Sequence, residues 1–168
     1  VLLFHFFITF YFMLKTFTNL SPKKFFINIK DVIVFTFSTS SSSASIPFTL
    51  KAANEKCGIN QSISSFTIPL GATINMDGTA IMQGCATFFL ASLYGIDLGM
   101  PEILTIVITA TIASIGTAGI PSAGIIMLTV IFTQIGIPLE GITLLLGVDR
   151  LLDMMRTSIN VSGDLCIS

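Results

Sequence analysis

Five polar residues near the end of the chain, Asp149, Asp153, Arg156, Asn160 and Asp164, are spaced by 4, 3, 4 and 4 positions. At about 100° per residue they fall in a stripe about 80° wide on one helix face. Their neighbours are mostly Leu, Ile, Val, Met and Gly. An ionised side chain at a bilayer centre costs roughly 2.5–3.5 kcal/mol, so four facing lipid would cost on the order of 10 kcal/mol. The stripe must therefore face protein or a wet cavity; the alternative, a surface helix of a soluble protein, sits badly with the apolar flanks. The planar guanidinium of Arg156 suits two-point capture of a carboxylate. Asp153, one turn earlier, can accept from an ammonium group, so the two could hold an amino acid that carries a second carboxylate. Alternatively they neutralise each other as an i, i+3 pair.

Three further motifs carry chemistry. Asn75-Met76-Asp77-Gly78-Thr79 interrupts an apolar stretch. Asn, Asp and Gly open a helix and free its carbonyls, and these with a carboxylate and an amide suit Na⁺. Ser114 to Pro121 forms a Gly-rich tip whose glycines allow close approach to a ligand and hinge motion. Ser40 to Ser43 offers hydroxyls and helix-start N–H groups, which favour an anion; the plainer reading of such a run is a linker.

The elements that must position these residues are apolar. Hydrophobic residues make up 52% of the 168, charged residues 10%, and mean hydropathy is +0.90. A soluble domain averages roughly 25% charged residues. A net charge of −1 gives no basic footprint for nucleic acid. Cys57, Cys85 and Cys166 form no CxxC or Cys/His pattern and imply neither disulfide nor metal site. The single histidine, His5, lies in a Phe-rich run and reads as structural or lipid-facing.

Residues 1–14 read as the tail of a membrane helix, and 15–31, with four lysines, as an amphipathic linker at a membrane surface. The stretches on either side of the Ser-rich and Gly-rich tips are about 10–14 residues long. Such limbs reach about 15–21 Å, against a hydrocarbon core of about 30 Å. Each pair thus reads as a re-entrant hairpin whose tip is buried in protein or lines a cavity; the alternative is a full helix kinked at Pro47 or Pro121. The hairpin-then-interrupted-helix pattern recurs. Ser42 to Asn75 spans 33 positions and Gly119 to Asp153 spans 34, the paired arrangement that marks a transporter site near the bilayer midplane. Six of the eight basic residues fall between 15 and 56. The positive-inside rule then places the first hairpin's mouth in the cytoplasm and the second's outside, so the tips can meet. Both ends of the chain look cut, as in a fragment of a longer protein.

Taken together, the sequence resembles the dicarboxylate/amino acid:cation symporters, the glutamate/aspartate transporter family. The resemblance covers roughly residues 10–168 and rests on four motifs in order: Ser-Ser-Ser-Ala-Ser-Ile-Pro at 41–47, Pro-Leu-Gly-Ala-Thr-Ile-Asn-Met-Asp-Gly-Thr at 69–79, Ser-Ile-Gly-Thr-Ala-Gly-Ile-Pro at 114–121 and Gly-Val-Asp-Arg-Leu-Leu-Asp-Met-Met-Arg-Thr-Ser-Ile-Asn-Val-Ser-Gly-Asp at 147–164. It implies an all-α membrane protein, an inverted-repeat transport domain of two re-entrant hairpins and two broken transmembrane helices. The divisions would be 1–31, the end of the sixth helix and a cytoplasmic linker; 32–61, hairpin 1; 62–96, broken helix 7; 97–139, hairpin 2, the gate; and 140–168, a truncated helix 8.

By the same resemblance, substrate contacts would fall on Ser41, Ser42, Thr79, Ile120, Pro121, Gly124, Asp153, Arg156, Thr157 and Asn160. Arg156 would take the substrate's side-chain carboxylate and Asp153 its amino group. Sodium ligands would come from Gly71, Thr73, Asn75, Met76, Asp77, Ser114, Ile115, Thr117, Asn160 and Asp164, with one site also using an earlier helix. The implied activity is symport of an acidic amino acid or dicarboxylate with Na⁺ across the plasma membrane. The implied partners are the lipid bilayer and N-terminal scaffold helices outside this chain, in a homotrimer. Three positions depart from the family's pattern: Ser122 replaces a common gate glycine, and neither Ser40 nor Met154 supplies the second Arg that members often carry. Arg156 favours acidic substrates, and Asp164 favours sodium over protons.

Three alternatives remain at this point. One is a proton-coupled C4-dicarboxylate carrier and another is a non-functional truncated relic. The third is an intramembrane aspartyl protease, which lacks its Tyr-Asp or Gly-x-Gly-Asp context here.

Overall fold

A computed structural model describes all 168 residues, and every regular element is helical. The chain opens with α1 (Leu2–Phe4), a π-helical turn (His5–Thr9) and α2 (Phe10–Phe17). Helix α3 (Pro22–Thr39) follows, with extended Ser21 before it and Pro22 in the first turn, where the missing N–H costs nothing. It stops at Ser40, which adopts a left-handed conformation (φ 51°). Helix α4 (Ser42–Ala52) then starts on a cap: Ser41 Oγ accepts from Ala44 N at 3.2 Å. A second π-helical turn (Ala53–Cys57) brings the chain back to the start of α3, where Asn28 Nδ2 donates to Lys56 O (2.7 Å) and Lys56 pairs with Asp31. The reversal lies at Ser40, while Pro47 sits inside α4.

Helix α5 (Gln61–Ile74) is capped by Asn60, and α6 (Asp77–Leu93) continues beyond a break at Asn75 and Met76, both outside helical φ/ψ. Next come α7 (Met100–Ile115), a tip at 116–122, and the pair α8 (Ala123–Ile126) and α9 (Leu128–Ile135). Thr109 Oγ1 donates to Gln134 Oε1 at 2.6 Å, tying α9 back along α7. A 3₁₀ turn (Leu139–Gly141) leads into α10 (Ile142–Ile167).

Two sequence expectations need correction. The linker boundary at 31/32 falls inside α3, because Phe25, Ile29, Val32 and Thr36 share one buried face and carry the helix through it. Of the two broken helices expected, only α5/α6 is interrupted. Helix α10 is continuous over 26 residues, because its polar side chains find partners sideways and its backbone need not open.

Helix α10 packs against α3, α4, α5 and α6 and joins two apolar cores. One holds Leu90, Ala110, Leu128, Ile131, Phe132 and Leu145. The other holds Leu14, Phe25, Ile29, Ile68, Val161 and Leu165. Outside these cores many large apolar side chains are exposed, Phe66 at 68% and Ile112 at 66% among them. No helix is both long and apolar enough to cross a membrane.

Phe132 is fully buried at the centre of the first core. Phe132→Ala is expected to destabilise the fold by about 3–5 kcal/mol, read as a lower midpoint in thermal unfolding.

Candidate functional site

The polar stripe of α10 turns inward. Asp149, Asp153, Arg156, Asn160 and Asp164 are all buried, Arg156 at 2% exposure, while Arg150 is exposed. Arg156 Nε donates to Asp153 Oδ1 at 2.9 Å. Nη2 lies 2.8 Å from the same oxygen and Nη1 3.2 Å from Asp149 Oδ1. Neither terminal nitrogen makes a well-aligned hydrogen bond, although both are fully buried. The i, i+3 pairing weighed from sequence thus forms, but it leaves donors of a fixed planar fork unspent. Two carboxylates flank one guanidinium, which leaves the cluster anionic overall and suited to an ammonium group beside a carboxylate.

The two tips close over this cluster. Gly119 O accepts from Ser41 Oγ at 2.8 Å and from Ser43 N at 3.1 Å, joining tip to tip. Asp153 Oδ2 accepts from the backbone N of Ser122 at 2.8 Å, with Ser122 left-handed at φ 61°. Gln83 Nε2 donates to Gly124 O at 3.1 Å. A Cβ at Gly124 would lie 3.0 Å from Thr79 Cγ2 and 3.1 Å from Arg156 Cζ, so any side chain there would press on the guanidinium that α8 lies over. Between these groups only about 10 Å³ is open to a water-sized molecule, room for at most one water, so the tips lie closed on α10.

Beside it, the break in α5/α6 is knitted to α10. Gly78 N donates to Asn160 Oδ1 (2.8 Å), and Asn160 Nδ2 reaches Thr79 Oγ1 and Met76 Sδ, each at 3.2 Å. Asn75 Nδ2 donates to Asp164 Oδ1 (2.7 Å) and Asn160 O (3.3 Å). A Cβ on Gly71 would overlap the Asp164 carboxylate. Asp77 accepts from Gly78 N at Oδ1 (2.9 Å) and meets His5 Nε2 at Oδ2 (2.5 Å). The carboxylate and amide oxygens gathered at the break are of the chemical type that a hard cation takes.

Of the expected substrate residues, Ser42, Thr79, Ile120, Gly124, Asp153, Arg156, Thr157 and Asn160 line the central space. Ser41 stands beside it as the tip-to-tip donor, and Pro121 is exposed outside the lining. Among the expected sodium ligands, Gly71, Asn75, Asn160 and Asp164 converge. Met76 presents sulfur to Asn160 and Thr79, while Asp77 bonds to His5. Thr73 is exposed with its hydroxyl donated to Leu70 O. Ser114 and Thr117 are buried but donate to Thr111 O and Ala113 O. The Ile115 side chain is exposed, so only its backbone could serve.

Ser40, placed from sequence in the anion-favouring serine tip but not among the substrate contacts, lines the space with its Oγ unpartnered. Gln83 was not foreseen, although it had a signal: Thr79, Gln83 and Thr87 recur every four residues, and all three are buried. His5, expected to be structural or lipid-facing, bonds to Asp77, a partner the sequence did not name.

A helical bundle that buries four charged side chains of α10 while leaving large apolar side chains exposed has the distribution expected of a protein built for an apolar surrounding. Residues 1–168 match the family described as Sodium:dicarboxylate symporter family, and the chain belongs to it. It is 44% identical over 144 residues to Excitatory amino acid transporter 3 of Mus musculus, an alignment covering 86% of this chain and 28% of the relative. It is 44% identical over 147 residues to Excitatory amino acid transporter 1 of Rattus norvegicus (88% and 27%) and to Excitatory amino acid transporter 2 of Homo sapiens (88% and 26%). The chain thus spans about a quarter of the length of the curated relatives it matches. These relatives are named as transporters, not as enzymes.

A Cβ at Gly119 would lie 2.8 Å from Ala72 O and 2.7 Å from Ser43 Oγ, whereas one at Gly84 meets nothing within 4 Å. Gly119→Ala should therefore destabilise by about 1–3 kcal/mol. Gly84→Ala, inside α6, should be neutral or stabilising by up to about 1 kcal/mol. Thermal unfolding of the two variants beside the parent checks both.

Proposed function

We propose that this chain supplies the substrate- and sodium-binding part of a carrier that moves an acidic amino acid or dicarboxylate across the plasma membrane together with Na⁺. The observation that carries the reading is Arg156, buried at the meeting of both tips with its terminal nitrogens short of aligned acceptors. A side-chain carboxylate of the solute would satisfy that fork, and its ammonium would face Asp153. The remaining proposed substrate contacts are those that line the same space, with Ser41 and Pro121 contributing from the tips themselves.

Sodium would be held on the α10 side of the α5/α6 break by Asp77, Asp164, Asn75, Asn160, Met76 and backbone oxygens of Gly71 and Thr73. The carbonyls of Ser114 to Thr117 would join when the second tip shifts. The helix pairs would act as re-entrant hairpins, since α7, at 16 residues, reaches about 24 Å and falls short of a hydrocarbon core of about 30 Å. The exposed apolar faces would be covered by lipid and by scaffold helices, in a trimer of the whole carrier.

Proteoliposomes or cells carrying the carrier that contains this chain should take up labelled aspartate or glutamate in sodium and not in choline. Arg156→Cys should weaken apparent affinity for the acidic substrate by at least about 100-fold, since two charge-assisted hydrogen bonds are worth roughly 3–6 kcal/mol. Sodium-independent uptake, or acidic uptake kept by Arg156→Cys at equal surface expression, would refute the reading.

A further inference from the structure

We infer that His5 is a positioning residue for the Asp77 carboxylate, and so makes the first helical segment part of the cation site. The inference rests on the reading that Asp77 takes part in binding Na⁺. His5 Nε2 and Asp77 Oδ2 are 2.5 Å apart, across 72 positions of sequence. Their side chains are only 19% and 29% exposed, so solvent offers little competition for the contact. An ionised carboxylate can only accept, so the shared proton is assigned to Nε2 of the imidazole. The other oxygen, Oδ1, accepts from Gly78 N at 2.9 Å. Oδ2 thus has the imidazole as its donor, while Oδ1 shares the Gly78 N–H with Asn160 Oδ1, so His5 is the donor that Asp77 does not share, and further lone pairs remain on both oxygens for a cation.

The ring itself is held. It packs edge-on against Phe10, with centroids 5.1 Å apart and planes at 65°. His5 also opens the π-helical turn His5–Thr9, a local widening that accompanies functional positions in otherwise regular helices. Every other residue from Val1 to Leu14 is apolar apart from Thr9 and Tyr11, so packing alone gives no reason for an imidazole there. Donors that fix a ligating carboxylate are commonly worth 10–100-fold in metal affinity.

The test is the sodium dependence of the thermal unfolding midpoint of the purified full carrier, with choline chloride holding ionic strength constant. His5→Phe keeps the ring volume and removes the donor. It should raise the half-saturating sodium concentration by about 10-fold or more, and His5→Gln, whose amide can donate, should stay within about threefold of the parent. If His5→Phe gives no folded protein, His5→Met carries the same test. A parent without any sodium-dependent shift would remove the reading of Asp77 itself. A parent that shifts, beside a His5→Phe or His5→Met variant with unchanged or lower half-saturation, overturns the role of His5 alone. So does a His5→Gln variant that loses the sodium response as fully as His5→Phe. A purely structural histidine would lower the midpoint in choline and leave the sodium dependence in place, which likewise overturns the inference.

Discussion

A guanidinium enclosed by protein between two carboxylates is the constraint around which this chain is arranged. Removing Arg156, Asp149 and Asp153 from water has a large desolvation cost, and mutual attraction offsets it only when the geometry is good and the remaining polar atoms are satisfied. Here the geometry is incomplete. One oxygen of Asp153 serves both Nε and Nη2, its other oxygen is used by the Ser122 backbone, and the terminal nitrogens lack aligned acceptors. Such a cluster is poorly explained as a stabilising element, which is why the proposed role for it is capture of a charged solute.

The rest of the fold brings backbone close to that cluster. Gly78, Gly119 and Gly124 sit where a Cβ would meet Asn160, Ser43 or Arg156 at about 3 Å or less. Their absence of side chains lets the break of α5/α6 and both tips approach α10 through main-chain groups. Main-chain donors and acceptors are oriented by the helices they terminate, so they need no side-chain ordering to act. The two apolar cores on either side of α10 hold those helices, and the tips meet through Gly119 O, which accepts from Ser41 Oγ and Ser43 N.

Symmetry in the sequence suggested more symmetry than the fold contains. The spacing of hairpin and polar segment recurs, yet the polar groups are accommodated in two ways. At Asn75-Met76 the backbone itself leaves the helical region, because Asn and a following Gly lower the cost of opening. In α10 the helix continues and side chains reach sideways, Asn160 to Gly78 and Asp153 to Ser122. A polar residue in an apolar segment announces that its charge must be answered; it does not say whether backbone or side chain will move to answer it.

What the sequence by itself determined is local and periodic. The spacing of Asp149, Asp153, Arg156, Asn160 and Asp164 fixes a common face, and the energetic cost of charge in an apolar chain fixes that face inward. Ser40-Ser41 and the glycines at 116 and 119 likewise mark where helices end. Tertiary structure alone decided which acceptor answers which donor. Asp153 takes the Ser122 backbone, Gln83 reaches Gly124, and His5 meets Asp77. The physical reason is that burial periodicity repeats along one segment and can be read from it, whereas many carboxylates, amides and carbonyls are chemically equivalent partners. Only packing distances between segments tens of residues apart choose among them.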